Sequence, residues 1–330
     1  MPGLDMRKHN GRTSQEGIAL LVVLWIMAVL IVVVLSFSLM MRKESQAVLF
    51  FKEGVEKKYY AEAAIERAVI ELYYRNLNRD QDIIYEGKEV FKVDGTVYPG
   101  RIGDGNYNLK IMNEAGRINV NEIGDDTGIL LKNLLMNSGT AEELAVIIVD
   151  SVLDWKDEDD LHRLHGAESD FYQAMSNPYK ARNAPFESLE ELVMVRGMTP
   201  EILFGSADKA GLIQFLTVHS KTGKIDIGSA SKEVLMAVPG MTVEAAERVI
   251  EYRKTAEIRD MASIKEVIGS EIFLLLEPFA AVIESTTYTI EAIGYKDNER
   301  KGYPIRATVI LHGPGGYRYL YYKSPAENRL

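Results

Sequence analysis

Cysteine is absent from the 330 residues. No disulfide staples this fold and no thiol chemistry is available to it, and the redox state of its compartment is left open. Positive charge is also scarce: 38 Lys and Arg stand against 48 Asp and Glu, a net charge of -10. A contact face for nucleic-acid phosphates needs the opposite balance, so such a partner is disfavoured except through a local basic patch. Low-complexity tracts are missing, and charged residues make up 26% of the chain, an ordinary globular fraction. The length suffices for two compact units beyond a membrane segment.

Charge is missing altogether from Ile18 to Met41, IALLVVLWIMAVLIVVVLSFSLMM, where only Ser36 and Ser38 interrupt the apolar side chains. Ile18 to Leu35 alone makes roughly 27 Å of helix, close to a hydrocarbon core of about 30 Å, and continuing to Met41 closes the gap. A single span must be helical, because lipid offers its backbone no partner. A removable signal peptide has a shorter apolar region and a small-residue cleavage site, whereas Arg42, Lys43 and Glu44 follow here. Arg7, Lys8 and Arg12 precede the span, which favours a cytoplasmic N-terminus with the bulk of the chain outside.

Gly17 separates a short, polar, basic leader from Ile18. That arrangement resembles the type IV pilin and pseudopilin signature, in which a prepilin peptidase cuts after the glycine and leaves the apolar helix on the mature protein. Pilin-like subunits mostly carry Glu at the fifth mature position; here Val22 stands there. An intramembrane carboxylate is costly and needs a partner, so a subunit without it packs differently from the bulk subunit.

Beyond the span, Phe51, Val55, Tyr59 and Ala63, then Ile65, Val69, Leu72 and Tyr73, continue an apolar stripe. This predicts a helix to about Asn78, roughly 90 Å from Ile18 if unbroken, with Gly54 the expected bend and a globular partner for the stripe. From Ile83 the runs EVFKV, TVYPGRI and YNLKIM alternate with turns at Asp94-Gly95 and Gly103 to Asn106, which predicts strands; Tyr107, Leu109 and Ile111 share a face. Asn119 to Ala281 reads as helical. TYTIEAIG, IRATVIL and YRYLYY return to strands, with Ile305, Ala307, Val309 and Leu311 alternating against Arg306, Thr308 and Ile310. The fold class is therefore α+β: an αβ domain of residues 42–118 and 282–330, interrupted by an all-α domain of residues 119–281.

The block DWKDEDDLHRLHGAESDFY puts seven carboxylates between Asp154 and Asp170: Asp154, Asp157, Glu158, Asp159, Asp160, Glu168 and Asp170. A solvated acidic loop and a hard-cation site both fit it; the spacing is not that of an EF-hand, while Trp155, Phe171 and Tyr172 bring order to the neighbourhood. His162 and His165 argue only weakly for zinc amid so many hard oxygens. Lys224 to Arg253 reads as helix, Pro239-Gly240 turn, helix, with Ser229 or Ser231 and Thr242 as caps. It resembles the helix-hairpin-helix motif, and Ser188 to Leu203 looks like a degenerate relative. Hairpins of this type often hold DNA phosphates, but Glu244 and Glu247 flank this turn, so a structural use is expected.

In order and spacing these pieces resemble the minor pseudopilin K family of type II secretion systems: the EG leader before IALLVVLWI, Val22, GRINVN at Gly116 to Asn121, the acidic block, NAPFESLEELVMVRGMTPEI and IDIGSASKEVLMAVPGMT. The last departs from the family's INVNTAS in a way that keeps the capping chemistry. The resemblance implies a pilin-like αβ domain continuing from the membrane helix, with a large inserted α-domain. It also implies no catalytic activity, a place at the pseudopilus tip and a part in initiating its assembly. The expected partners are other minor pseudopilins, the major pseudopilin, the inner-membrane assembly platform and prepilin peptidase. Residues 1–17 would be the leader, cut between Gly17 and Ile18 with N-methylation of Ile18, and residues 18–41 the single inner-membrane span, with the C-terminal domains periplasmic. Structural calcium would be held by Asp154, Asp157, Asp159, Glu168 and Asp170. The competing reading is a membrane-anchored DNA-uptake receptor, which calls for a basic, shorter chain; a metal-dependent hydrolase lacks a nucleophile motif.

Overall fold

The computed structural model describes residues 13–78, 91–206, 208–256, 258–296, 301–313 and 315–326. Two units divide the chain, residues 1–56 and 57–330. Helix α1 (Thr13–Leu77) accounts for every described residue of the first unit, including Gly54. From Ile18 to Met41 its side chains are uncharged and exposed on all sides. This is a helix long and apolar enough to cross a membrane. Its backbone bonds are all internal, as lipid requires. Most of the leader, residues 1–12, lies outside the described residues.

In the second unit the last turns of α1 pack on a five-stranded antiparallel sheet: β1 (Asp94–Ile102), β2 (Gly105–Asn113), β3 (Thr287–Lys296), β4 (Tyr303–His312) and β5 (Gly316–Lys323). Spatial order follows chain order, with β1 and β5 at the edges. Pro99, which lacks an N–H, is confined to edge strand β1. The burial of β2 alternates strictly, placing Tyr107, Leu109 and Ile111 against the helix. The helix answers with Ala61, Ala64, Ile65, Ala68, Val69 and Leu72. Thus the predicted stripe is right from Ile65 onward and wrong before it: Phe51 and Tyr59 are exposed and Ala63 is half-buried. Steps of four residues drift about 40° each around a helix of 3.6 residues per turn, whereas alternating threes and fours hold one face.

Close approach explains the alanines. A β-carbon on Gly294 of β3 would stand 2.0 Å from the carbonyl oxygen of Lys57 and 2.7 Å from the nitrogen of Ala61. Helix and sheet touch backbone to backbone there.

Three expectations about the strands change. Of EVFKV, Glu89 and Val90 lie outside the described residues and Phe91 to Val93 are not strand. Asp94-Gly95 is not a hairpin turn but an irregular start to β1; Asp94 Oδ1 accepts from Thr96 N at 3.0 Å and Gly95 has φ 89°. The hairpin turn is Gly103-Asp104, between paired Ile102 and Gly105. On β4, Thr308 and Ile310 are buried along with Ala307 and Val309, because the inserted domain covers the second face. That face is polar. Thr289 and Thr308 share a hydrogen bond of 2.8 Å, and Glu291 meets Lys110 at 2.8 Å. Above them Glu114 meets Arg117 at 3.0 Å and accepts a bond from the Thr217 hydroxyl.

Between β2 and β3 one apolar core runs from Ile118 to Ala280. Its helices are α2 (Gly128–Asn137), α3 (Glu142–Lys156), α4 (Ser169–Gln173), α5 (Pro200–Phe204), α6 (Lys232–Ala237), α7 (Val243–Thr255), α8 (Met261–Ile268) and α9 (Ser270–Leu276). This region is mainly rather than wholly helical. Ile118–Asn119 pairs in parallel with Leu216–Thr217, Ile225–Asp226 with Ala280–Ala281, and Gly205–Ser206 forms a short antiparallel pair with Lys209–Ala210. The two parallel ties fasten the insert's ends to its middle, and the third is a local pairing within it.

Candidate functional site

Helix α3 builds the site through its own amphipathic pattern. Glu142 and Glu143 occupy its first turn and Lys156 its last, charges that suit the helix dipole. Ile148, Val152 and Trp155 point into the core, and the same turn carries Asp154 with them to 0% exposure. Asp157 ends the helix. After a loop, Glu168 stands at the start of α4, 1% exposed. One oxygen from each of Asp154, Asp157 and Glu168 lies within 4.8 Å of the others.

Arg163 enters this cluster from the loop. Its Nη1 stands 2.8 Å from Asp154 Oδ1 and 2.6 Å from Asp157 Oδ2, and its Nε donates to Asp125 Oδ1 at 3.1 Å. Among the described residues neither oxygen of Glu168 has a hydrogen-bond partner, nor has Oδ1 of Asp157. Burial, followed by the negative charges of Asp154 and Asp157, pushes Glu168 up to about 7. Burial raises Asp154 as well, against the opposing pull of Arg163. Gly166 closes the cradle: a β-carbon there would fall 1.8 Å from Asp154 Oδ2. Trp155 packs edge-on to Tyr172 at 5.0 Å, and its Nε1 donates to Glu191 at 3.0 Å, so the wall behind the carboxylates is rigid.

The five residues expected to hold calcium therefore separate. Asp154, Asp157 and Glu168 converge. Asp159 and Asp170 turn to other partners: Asp159 Oδ1 accepts from Leu161 N at 2.8 Å, and Asp170 Oδ1 sits 2.9 Å from His162 Nε2. The converging set is all oxygen, mostly buried and incompletely hydrogen-bonded, which fits a hard cation such as calcium and not zinc. Density of carboxylates drew attention to the block, but Arg163 and Gly166 were missed. Their signal was present: one arginine within an acidic run, and a glycine two residues before a buried glutamate.

Residues 116–204 match the family described as type II secretion system (T2SS), protein K. The type II secretion system protein K of Klebsiella pneumoniae is 28% identical over 192 residues, 56% of this chain and 58% of that protein. That of Aeromonas hydrophila is 27% identical over 203 residues, 57% of this chain and 60% of that protein. Over these stretches the chain is similar to the type II secretion system protein K family. Its match to the first of these relatives spans less than two thirds of their own length. Protein K of Pseudomonas aeruginosa extends the likeness to 73% of both chains at 24% identity. The fold is that of a chain in the crystal structure of the GspK-GspI-GspJ complex from enterotoxigenic Escherichia coli, with a TM-score of 0.60 over 87% of this chain and 100% of that one, at 16% identity.

The whole carboxylate cluster, with Arg163 and Gly166, falls inside the protein K match; the α6–α7 helix pair lies beyond it. In that pair Ser231, rather than Ser229, caps α6 by accepting from Val234 N, and Thr242 caps α7 by accepting from Ala245 N. The Ser229 hydroxyl instead donates to Asp226. Lys232 is neutralised by Glu247 at 2.6 Å. The related stretch at Ser188 starts with a 3-10 turn, Leu189–Met194, before α5. Toward the N-terminus, Gly17 and Ile18 both lie within α1, and Val22 is 51% exposed among apolar neighbours.

Proposed function

We propose that this chain is a minor pseudopilin of a type II secretion system, which sits at the pseudopilus tip and helps to initiate assembly with other minor pseudopilins. One observation carries the reading: an uncharged apolar helix with Val22 in the fifth position leads into a helix-on-sheet domain that bears a large insert between β2 and β3. Lacking the carboxylate, the subunit has no intramembrane charge for a following neighbour to neutralise, which suits the end of a helical array. The bulky insert would block a further subunit from stacking above. Prepilin peptidase cuts between Gly17 and Ile18 and Ile18 is then N-methylated; the span stays in the inner membrane with the later domains in the periplasm. The major pseudopilin and the inner-membrane assembly platform complete the partner set, and the role is structural rather than catalytic. The complex of GspK with GspI and GspJ supports the choice of minor pseudopilins as partners.

Calcium has a structural place in this reading. Asp154, Asp157 and Glu168 would hold it, and a divalent charge there offsets the repulsion among the three carboxylates. Asp154 supplies a rigid oxygen from α3, and Glu168 ties the start of α4 to it. Asp159 and Asp170 would serve the site only after leaving Leu161 and His162.

The deciding measurement is the intact mass of the membrane-extracted protein with and without prepilin peptidase, paired with a secretion assay in a strain deleted for this chain. Loss of residues 1–17, a methyl group on Ile18 and failed secretion are expected. An unprocessed chain beside active peptidase, or normal secretion without the chain, would refute the reading. A gain of DNA binding would then favour the uptake receptor.

A further inference from the structure

The loop between α3 and α4 carries apolar side chains that the fold leaves in water. Leu161 is 75% exposed and Leu164 is 90% exposed, the highest value among the large apolar side chains of the described residues. The loop is not slack. Arg163 ties it to Asp154, Asp157 and Asp125, and the backbone N–H of His165 donates to Asp150 Oδ2 at 3.1 Å. A clamped loop holds Leu164 outward, where a slack one would fold it under.

Leu164 forms one lip of an open groove of about 430 Å³ between α2 and α3, whose apolar wall includes Ile129, Val146 and Leu153. Asp125, Asp150, Lys132 and Arg163 supply its charge. Both cations are already committed: Lys132 to Glu142 at 2.7 Å, and Arg163 to three aspartates. Among the described residues Asp150 accepts a neutral backbone N–H and meets no cation. Asp125 and Asp150 line the groove, and Glu142, Asp154 and Asp157 behind it neutralise its two cations, so the field at the rim is negative. An anionic lipid surface is repelled by such a rim, and a second copy of a chain with net charge -10 fits it poorly.

We propose that the groove between α2 and α3, with Leu164 as its lip, is a docking site for a basic amphipathic segment of a different protein. The segment inserts an apolar side chain against Ile129, Val146 and Leu164 and sets Lys or Arg beside Asp125 and Asp150. The apolar wall supplies affinity and the carboxylates supply orientation and rate. This goes beyond the pseudopilin reading, and because Arg163 holds the lip through Asp154 and Asp157 the test is made on metal-stripped protein.

The test uses the full chain in phosphatidylcholine nanodiscs and a fluorescent amphipathic peptide with leucine at helical spacing and lysine between, read by anisotropy. Saturable binding is expected, weakened at least about tenfold by Leu164→Ser and by Ile129→Ser, lost when the lysines become glutamates, and weakened by salt. Leu164→Ser should keep the parental melting temperature, since the side chain packs on little. The proposal is overturned if the parent chain shows no saturable binding, if empty nanodiscs bind as well, or if Leu164→Ser binds like the parent. Sedimentation supplies the last outcome: a dimer of the parent that Leu164→Ser dissolves makes a second copy the occupant and overturns it too.

Discussion

The carbonyl oxygen of Lys57 lies 2.0 Å from the point where a β-carbon on Gly294 would stand. Strand β3 therefore meets α1 at a distance that only glycine allows, in a contact region otherwise lined by Ala61, Ala64 and Ala68. Neither backbone can yield without moving the whole helix. Replacement by Gly294→Val should destabilise the protein by about 3 kcal/mol, the upper range for overpacking. Guanidinium titration followed by circular dichroism measures it. An unchanged midpoint would mean that helix and sheet are not held at this spacing.

Calcium added to metal-stripped protein should raise stability, by about 2.7 kcal/mol at a hundredfold excess over the dissociation constant. Glu168→Gln should remove most of that gain, since both Glu168 oxygens are buried without partners. Asp159→Asn and Asp170→Asn should retain it. Titration calorimetry on the three variants separates the converging residues from their neighbours; equal losses in all three would reinstate the wider ligand set.

Acid should attack the seam between sheet and insert. Burial alone would raise Glu114, but Arg117 and the Thr217 hydroxyl outweigh it and hold Glu114 below the usual carboxylate range. Glu291 is lowered in the same sense: Lys110 and Arg306 overcome its burial. A carboxylate with a depressed folded-state pKa stabilises above its unfolded value and loses that contribution as pH falls toward the folded one. Stability should thus fall below about pH 4.5. Glu114→Gln should lower stability at pH 7 and flatten the acid limb of a melting-temperature profile. A parallel, undiminished limb in the variant would assign the acid sensitivity elsewhere.

Val22→Glu places an unpaired carboxylate in the apolar run about one turn from its start, where it costs less than the few kcal/mol of a charge at the bilayer centre. On the proposed minor-pseudopilin role, secretion and tip assembly should both drop in cells carrying the variant as the sole copy. Normal secretion with normal tip assembly would show that Val22 has no part in placing the subunit.

By itself the sequence determined the long apolar N-terminal helix, the α+β class and the order of sheet, helices and sheet. Each of these is written in runs: a charge-free stretch long and apolar enough to cross a membrane, period-two alternation in YNLKIM, and helical spacing in EELAVIIVDSVL. It also located the acidic block and the helix caps, because capping needs only a short polar side chain at one place. The tertiary structure decided which residues within those runs matter. Spacing by four, which drifts around the helix, already set Phe51 and Tyr59 off the face held by Ala61 and Ala64, but that this face takes alanine was decided by the sheet at Gly294. Spacing could not sort the seven carboxylates. Asp154 is buried by the core packing of α3, Glu168 arrives at the start of α4, and Asp159 and Asp170 turn away to Leu161 and His162. Which oxygen faces inward depends on where the loop closes, and the loop is closed by Arg163 and Gly166 through contacts that exist only in the folded chain.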